Sequence, residues 1–168
     1  MSGILPTEGG GAGAYTATKF AMVGMMEILR SELDAGRANI GASVYCPGLV
    51  ATNIYELQKN VSAAFDENGK AGPDDAAVNT ARIRQIIGAG MDPIEAAQIV
   101  LAGIRNNDLF ILSHPEFGPG LQERMDALMA SVPTTTAPAT RLAQEQVTMH
   151  NSLYLRERDK LRARRRKG

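Results

Sequence analysis

Tyr15 and Lys19 stand four residues apart in Ala14-Tyr15-Thr16-Ala17-Thr18-Lys19-Phe20-Ala21. On a helix that spacing puts a phenol and an ammonium on one face. A neighbouring cation favours phenolate over phenol, which is what a general acid/base working near neutral pH needs. Ser2 lies thirteen positions before Tyr15 and offers a hydroxyl that could hydrogen-bond a substrate oxygen as charge develops on it. The spacing alone is not specific, because Tyr55-Glu56-Leu57-Gln58-Lys59 repeats it in a polar stretch, where a solvated helix face is the ordinary meaning. Context separates the two pairs. Small residues surround Tyr15, glycines at 9, 10, 11 and 13 precede it, and an apolar run closed by Pro47-Gly48 follows, with Thr52 shortly after.

The other reactive side chains read as structural. Cys46 closes a short apolar run and is expected to be a small buried side chain rather than a nucleophile. It is the single cysteine, which excludes an internal disulfide and a thiolate zinc cluster. His114 and His150 are far apart with no partner pattern, so no metal site is expected. Asp66, Glu67, Asp74 and Asp75 read as a solvated surface.

The elements that must position these groups follow from the pattern. Residues 1–13 read as a strand remnant at Ile4-Leu5, broken by Pro6 and followed by a glycine-rich loop. A helix is expected from about Ala14 to Ala35, free of proline, with Gly36 placed as its terminating glycine. Its apolar residues Phe20, Met22, Val23, Met25, Met26, Ile28, Leu29 and Leu33 cover more than one stripe. Two buried faces follow, one on a sheet and one on another subunit. Asn39–Cys46 reads as a buried strand, and residues 52–90 as a mobile excursion over a site, with a polar hinge at 66–70. Asp92-Pro93 supplies an N-cap and a first-turn proline for the next helix. Leu109–Leu112 is a second short strand, a helix spans about Gly120 to Ser131, and 133–140 is a linker by composition. The remainder is a helix-forming basic tail in which Glu157 and Asp159 interleave with arginines, expected to be solvated.

Alternating strands and helices predict a parallel α/β sheet. Two full strands are fewer than a stable sheet ordinarily needs, so the chain reads as physically incomplete. A formal net charge of zero implies no general attraction to nucleic acid or to acidic membranes. No apolar run approaches the roughly 20 residues needed to span a bilayer. The first six residues lack the pattern of a signal peptide, and the cytoplasm is the expected location.

With these motifs in place the chain resembles the C-terminal portion of the short-chain dehydrogenase/reductases. The resemblance is carried by Ser2, by Tyr15 and Lys19 opening a long helix, and by a strand ending in Pro47-Gly48 with Thr52 beyond it. It runs from Ser2 to about Val132 and is most specific over 2–52. It implies a partial Rossmann-type fold, a doubly wound parallel sheet lacking its N-terminal strands, with a C-terminal helical tail. Residues 1–132 would be the C-terminal half of that domain, with a lid at about 52–90, and 133–168 a linker and basic helical tail. It implies an oxidoreductase using NAD or NADP to interconvert an alcohol and a carbonyl, acting as a homo-oligomer, a dimer or tetramer, on a small molecule. Tyr15 would be the proton donor or acceptor, Lys19 would hold the cofactor ribose, and Ser2 would orient the substrate oxygen. Pro47, Gly48, Val50 and Thr52 would line the nicotinamide side, with no metal. The alternative is a non-catalytic remnant, or a subunit that needs another chain to complete the cofactor site.

The family's first half should bring a glycine-rich phosphate turn after a strand. Gly9–Ala14 fits G-x-G-x-x-A, with Asp34 twenty residues beyond. Pro6 interrupts the short run before it, and Asp34 falls at a helix end, so a loop ahead of the catalytic helix is the better reading.

Overall fold

The structure is a computed structural model in which residues 3–6, 13–53, 82, 84–149 and 152–167 are described. Helix α1 spans Gly13–Ala35. It contains no proline and is rich in alanine, methionine, leucine and glutamate, all good helix formers. Its terminus differs from the expected glycine cap. Ala38 N–H bonds the Leu33 carbonyl at 2.9 Å and Gly36 N–H that of Glu32 at 2.9 Å. The residue that turns into the left-handed region is Arg37, at φ 52°, one position after the glycine.

Strand β1 is Val44–Cys46 and strand β2 is Phe110–Leu112. They pair in parallel, Val44 with Phe110, Tyr45 with Ile111 and Cys46 with Leu112. Both strands begin later than the apolar runs suggested. The chain reaches β2 from a tight turn at Asn107, with φ 55°, and among the described residues no strand pairs with 39–43. Parallel pairing requires a crossover between the strands, and helix α2, Pro93–Arg105, lies within it. Asp92 caps α2 as expected, accepting from Ile94 N–H at 2.7 Å and Glu95 N–H at 3.3 Å. Residues 84–88 form a further helical stretch. The remainder of the expected lid, with Tyr55 and Lys59, lies outside the described residues.

The pleat sends alternate side chains to opposite faces. Val44, Cys46 and Phe110 meet Val23 and Met26 of α1, with Ile4 alongside. On the other face Ile111 packs against Gly103 of α2. A helix on each side of a parallel sheet is the doubly wound arrangement expected from the sequence. Ile4 and Leu5 are not strand but a turn and bend, and Ile4 joins the core by its side chain.

Helix α3 runs Phe117–Ala130, starting three residues earlier than predicted, because Phe117 is buried at its first turn. It lies beside α1, with the Arg124 guanidinium 5.3 Å over the Phe20 ring. Helices α4, Ala139–Met149, and α5, Ser152–Arg165, complete the chain.

The basic tail is not simply solvated. Leu153 is 1% exposed, and Glu157 is buried between the end of α1 and the start of β2. The Glu157 carboxylate accepts from Leu109 N–H at 3.2 Å and from Arg30 at 3.5 Å, and it pairs with Lys160 at 2.7 Å. Arg30, also buried, donates to the carbonyls of Ala42 at 3.1 Å and Asn107 at 3.3 Å. Arg164 binds both oxygens of Asp108 at 2.8 Å, and Arg156 reaches Asp34 at 2.7 Å. Arg164, with Lys160 beside it, holds the Asp108 carboxyl below its ordinary pKa against the opposing effect of burial. At the edge of the same seam the Tyr154 phenol is pushed up by burial and by its bond to Glu27.

Candidate active site

Tyr15 and Lys19 sit on the first two turns of α1, where helical spacing brings them together. The Lys19 ammonium lies 5.3 Å from the centroid of the Tyr15 ring. That contact is within cation–π range, with the cation over the ring that carries the phenol. Tyr15 is 56% exposed, while Lys19 is partly buried. The Thr18 hydroxyl donates to the Tyr15 carbonyl at 2.7 Å, tying it into the first turn. Gly3 lies directly against this part of α1, where an added Cβ would meet Val23 Cγ2 at 2.8 Å and the Lys19 carbonyl at 3.0 Å. Ser2 itself lies outside the described residues.

The packing shows which end of the sheet this is. Arg30 and Asp34, near the C-terminus of α1, sit by Ala42 and Asn107, where the strands begin. Tyr15 is fifteen residues earlier, about 22 Å along the helix axis at 1.5 Å per residue. It therefore belongs to the end where the strands finish, the usual place for ligands in open α/β sheets.

Pro47–Thr52 leaves β1 at that end. Val50 makes a parallel bridge with Met91, Met91 N–H bonds the Leu49 carbonyl at 2.9 Å, and Ala51 N–H bonds the Met91 carbonyl at 2.9 Å. Thr52 is exposed beyond the bridge. Residues just after β2 meet the same turn. Gly48 N–H donates to His114 Nδ1 at 3.1 Å, and His114 Nε2 bonds the Leu49 carbonyl at 3.0 Å. Ser113 Oγ stands 2.7 Å from His114 Nδ1 and 3.0 Å from the Tyr45 hydroxyl. The His114 ring stacks on Phe117, with centroids 5.4 Å apart and planes 19° apart.

Sequence reasoning set His114 aside. The signal available was topological, since two parallel neighbouring strands must release their following residues side by side. Cys46 behaves as read, buried in the core with its thiol pushed up by burial. Asp34 is paired with Arg30 at 3.3 Å and Arg156 at 2.7 Å, a structural role that leaves the look-alike fingerprint without its acidic residue. A concavity of about 580 Å³ is lined by Arg30, Asp34, Arg156, Glu157 and Lys160. It lies at the far end of α1 from Tyr15, Arg37 also lines it, and the other charges there pair as Arg30 with Asp34 and Glu157, Arg156 with Asp34 and Lys160 with Glu157, which makes it a seam between α1 and α5.

Among the described residues no group of His, Cys, Asp and Glu is placed to hold a metal, and no helix is long and apolar enough to cross a membrane. Tyr15 stands open on α1, and at the same end a turn with a glycine exposes Leu49.

The chain is 28% identical over 131 residues to a CLA biosynthesis dehydrogenase/reductase of Lactiplantibacillus plantarum, covering 77% of this chain and 45% of that protein. It is 30% identical over 121 residues to a C alpha-dehydrogenase of a Sphingobium strain, covering 72% of this chain and 38% of that protein. Its structure superposes on a chain from Novosphingobium aromaticivorans described as a short-chain dehydrogenase, with a TM-score of 0.61 and 25% identity, over 95% of this chain and 45% of the other. No family model matches. The chain thus spans less than half the length of the relatives it matches. A structural match over 95% of the residues also takes in much of the C-terminal helices, beyond the Val132 limit of the sequence resemblance.

Proposed function

We propose that this chain, which is similar in sequence and fold to part of a short-chain dehydrogenase/reductase, carries the catalytic helix and the nicotinamide side of an NAD- or NADP-dependent oxidoreductase that interconverts an alcohol and a carbonyl. The observation that carries the reading is the Tyr15–Lys19 pair, open on α1 at the strand end where Pro47–Thr52 emerges. A bound nicotinamide would supply or accept the hydride. In reduction the Tyr15 hydroxyl gives its proton to the carbonyl oxygen, and in oxidation the phenolate takes it back from the alcohol. Lys19 stabilises the phenolate and holds the ribose, and Ser2 orients the substrate oxygen. Pro47, Gly48, Val50 and Thr52 border the nicotinamide, largely through backbone groups. The working protein is a cytoplasmic homo-oligomer in this reading. The apolar face of α1 at Met22, Met25 and Ile28, more than half exposed, is available for the contact.

The test is cofactor-dependent reduction of a panel of aldehydes and ketones, followed by cofactor absorbance. Tyr15→Phe should lower turnover by about 10²–10⁴-fold, while Tyr55→Phe leaves it nearly unchanged. Full turnover by Tyr15→Phe would contradict the mechanism.

A second reading is favoured by the open apolar surface. Ile94, Leu101 and Ile104 of α2 are half exposed or more, and the sheet has two strands among the described residues. In this reading another polypeptide segment completes the sheet and the cofactor site, and the chain alone binds nicotinamide weakly and turns nothing over.

A further inference from the structure

We propose that His114 is a positioning residue for the cofactor turn, fixing the Gly48 and Leu49 peptides from behind as a neutral imidazole protonated at Nε2. The inference rests on the reading of Pro47–Thr52 as the nicotinamide side. The proton assignment follows from donor chemistry. A backbone N–H can only donate, so Nδ1, 3.1 Å from Gly48 N, is the acceptor and carries no proton. A backbone carbonyl can only accept, so Nε2, 3.0 Å from the Leu49 oxygen, carries the proton. Ser113 Oγ, 2.7 Å from the same Nδ1, must then point its proton at it. The Tyr45 hydroxyl, 3.0 Å away, in turn donates to Ser113. Both ring nitrogens are thus committed to consecutive residues of one turn, through the peptides on either side of the Gly48–Leu49 bond, and Phe117 stacks on the ring.

The fit is close from the other side as well. A Cβ at Gly48 would stand 2.5 Å from His114 Cδ2, so the turn needs glycine because the imidazole occupies that space. Leu49 O also accepts from Met91 N–H at 2.9 Å, so the turn is pinned from two directions by its carbonyl. Gly48 N–H depends on His114.

The experiment compares His114→Ala, His114→Asn and His114→Gln in the whole chain by amide exchange and nitrogen-detected imidazole spectra. Asn places its oxygen near the Nδ1 position, whereas Gln reaches the Nε2 position. The wild-type ring should show the Nε2–H tautomer. Gly48 protection should fall about fivefold or more in the Ala variant, the loss expected for one hydrogen bond, and recover in the Asn variant but not in the Gln variant. Leu109 in the core should stay protected throughout, which separates a local effect from unfolding. Unchanged Gly48 protection in His114→Ala, no recovery in His114→Asn, or an Nδ1–H tautomer would overturn the proposal. Reduced nicotinamide mononucleotide tests the underlying reading separately. If protection behaves as stated but the mononucleotide leaves the 47–52 amides of the wild-type chain unmoved, the turn is positioned by His114 and the nicotinamide reading fails.

Discussion

Replacing Glu157 by alanine should destabilise the chain by about 2–4 kcal/mol, a value that follows from what the carboxylate satisfies. Leu109 is fully buried, and its N–H has the Glu157 oxygen at 3.2 Å. Leaving a buried donor unpaired costs about 1–3 kcal/mol. Arg30, buried as well, loses an ionic partner at 3.5 Å but keeps the Ala42 and Asn107 carbonyls and Asp34. Its loss therefore stays below the 3–5 kcal/mol typical when a buried pair is broken outright. Lys160 is partly exposed and has Asp108 at 3.2 Å as a second partner, so its share is at most about 1 kcal/mol. Glu157→Gln keeps one acceptor oxygen and should cost less. Arg158→Ala, which removes an exposed pair with Asp159, should leave the unfolding midpoint nearly unchanged. Urea unfolding followed by circular dichroism measures all three. A Glu157→Ala midpoint equal to that of Arg158→Ala would refute the docking of α5, and the tail would then be the solvated appendage its composition suggests.

Further outcomes follow from single contacts. Because the Asp108 carboxyl is held below its ordinary value, its contribution is full above the usual carboxylate range and lost as pH falls through the lowered pKa. Arg164→Ala removes the principal cause, so its acid unfolding midpoint should move to higher pH than wild type, and coincident acid transitions would show that the pair is not formed. Arg37 holds a left-handed conformation that glycine adopts without penalty. Arg37→Gly should therefore raise stability by about 0.5–1 kcal/mol, read as a higher urea midpoint, and a lower midpoint would mean that the cap is formed differently.

The parts legible in the sequence are those fixed by neighbours along the chain. Asp92-Pro93 announced α2 because an N-cap side chain and a proline act within one turn. Tyr15 and Lys19 were legible because four residues of helix bring them together. Gly36 misled by one position, since the choice of which residue turns left-handed is made by the bonds of the last turn, here with Arg37. Ile4-Leu5 looked like strand by residue type, yet a strand needs a partner, and the sequence cannot show that Ile4 contributes only a side chain. The tail was misjudged for a related reason. Interleaved Glu157, Arg158 and Asp159 look like surface pairs, while the actual partners of Glu157, Arg30 and Leu109, are 127 and 48 residues away. His114 was invisible on the same ground, its ring answering a turn 66 residues earlier. Ser2 and the Tyr55–Lys59 pair lie outside the described residues.

The most direct test of the account is a nitrogen–proton correlation spectrum of the isotope-labelled chain titrated with NADH and with NADPH. Weak binding is visible this way, so the measurement does not depend on turnover. The account predicts saturable shifts at Tyr15 and Lys19 and along Gly48–Thr52, diminished in Lys19→Ala. Shifts confined to the charged seam between α1 and α5, or none at millimolar cofactor, would contradict it.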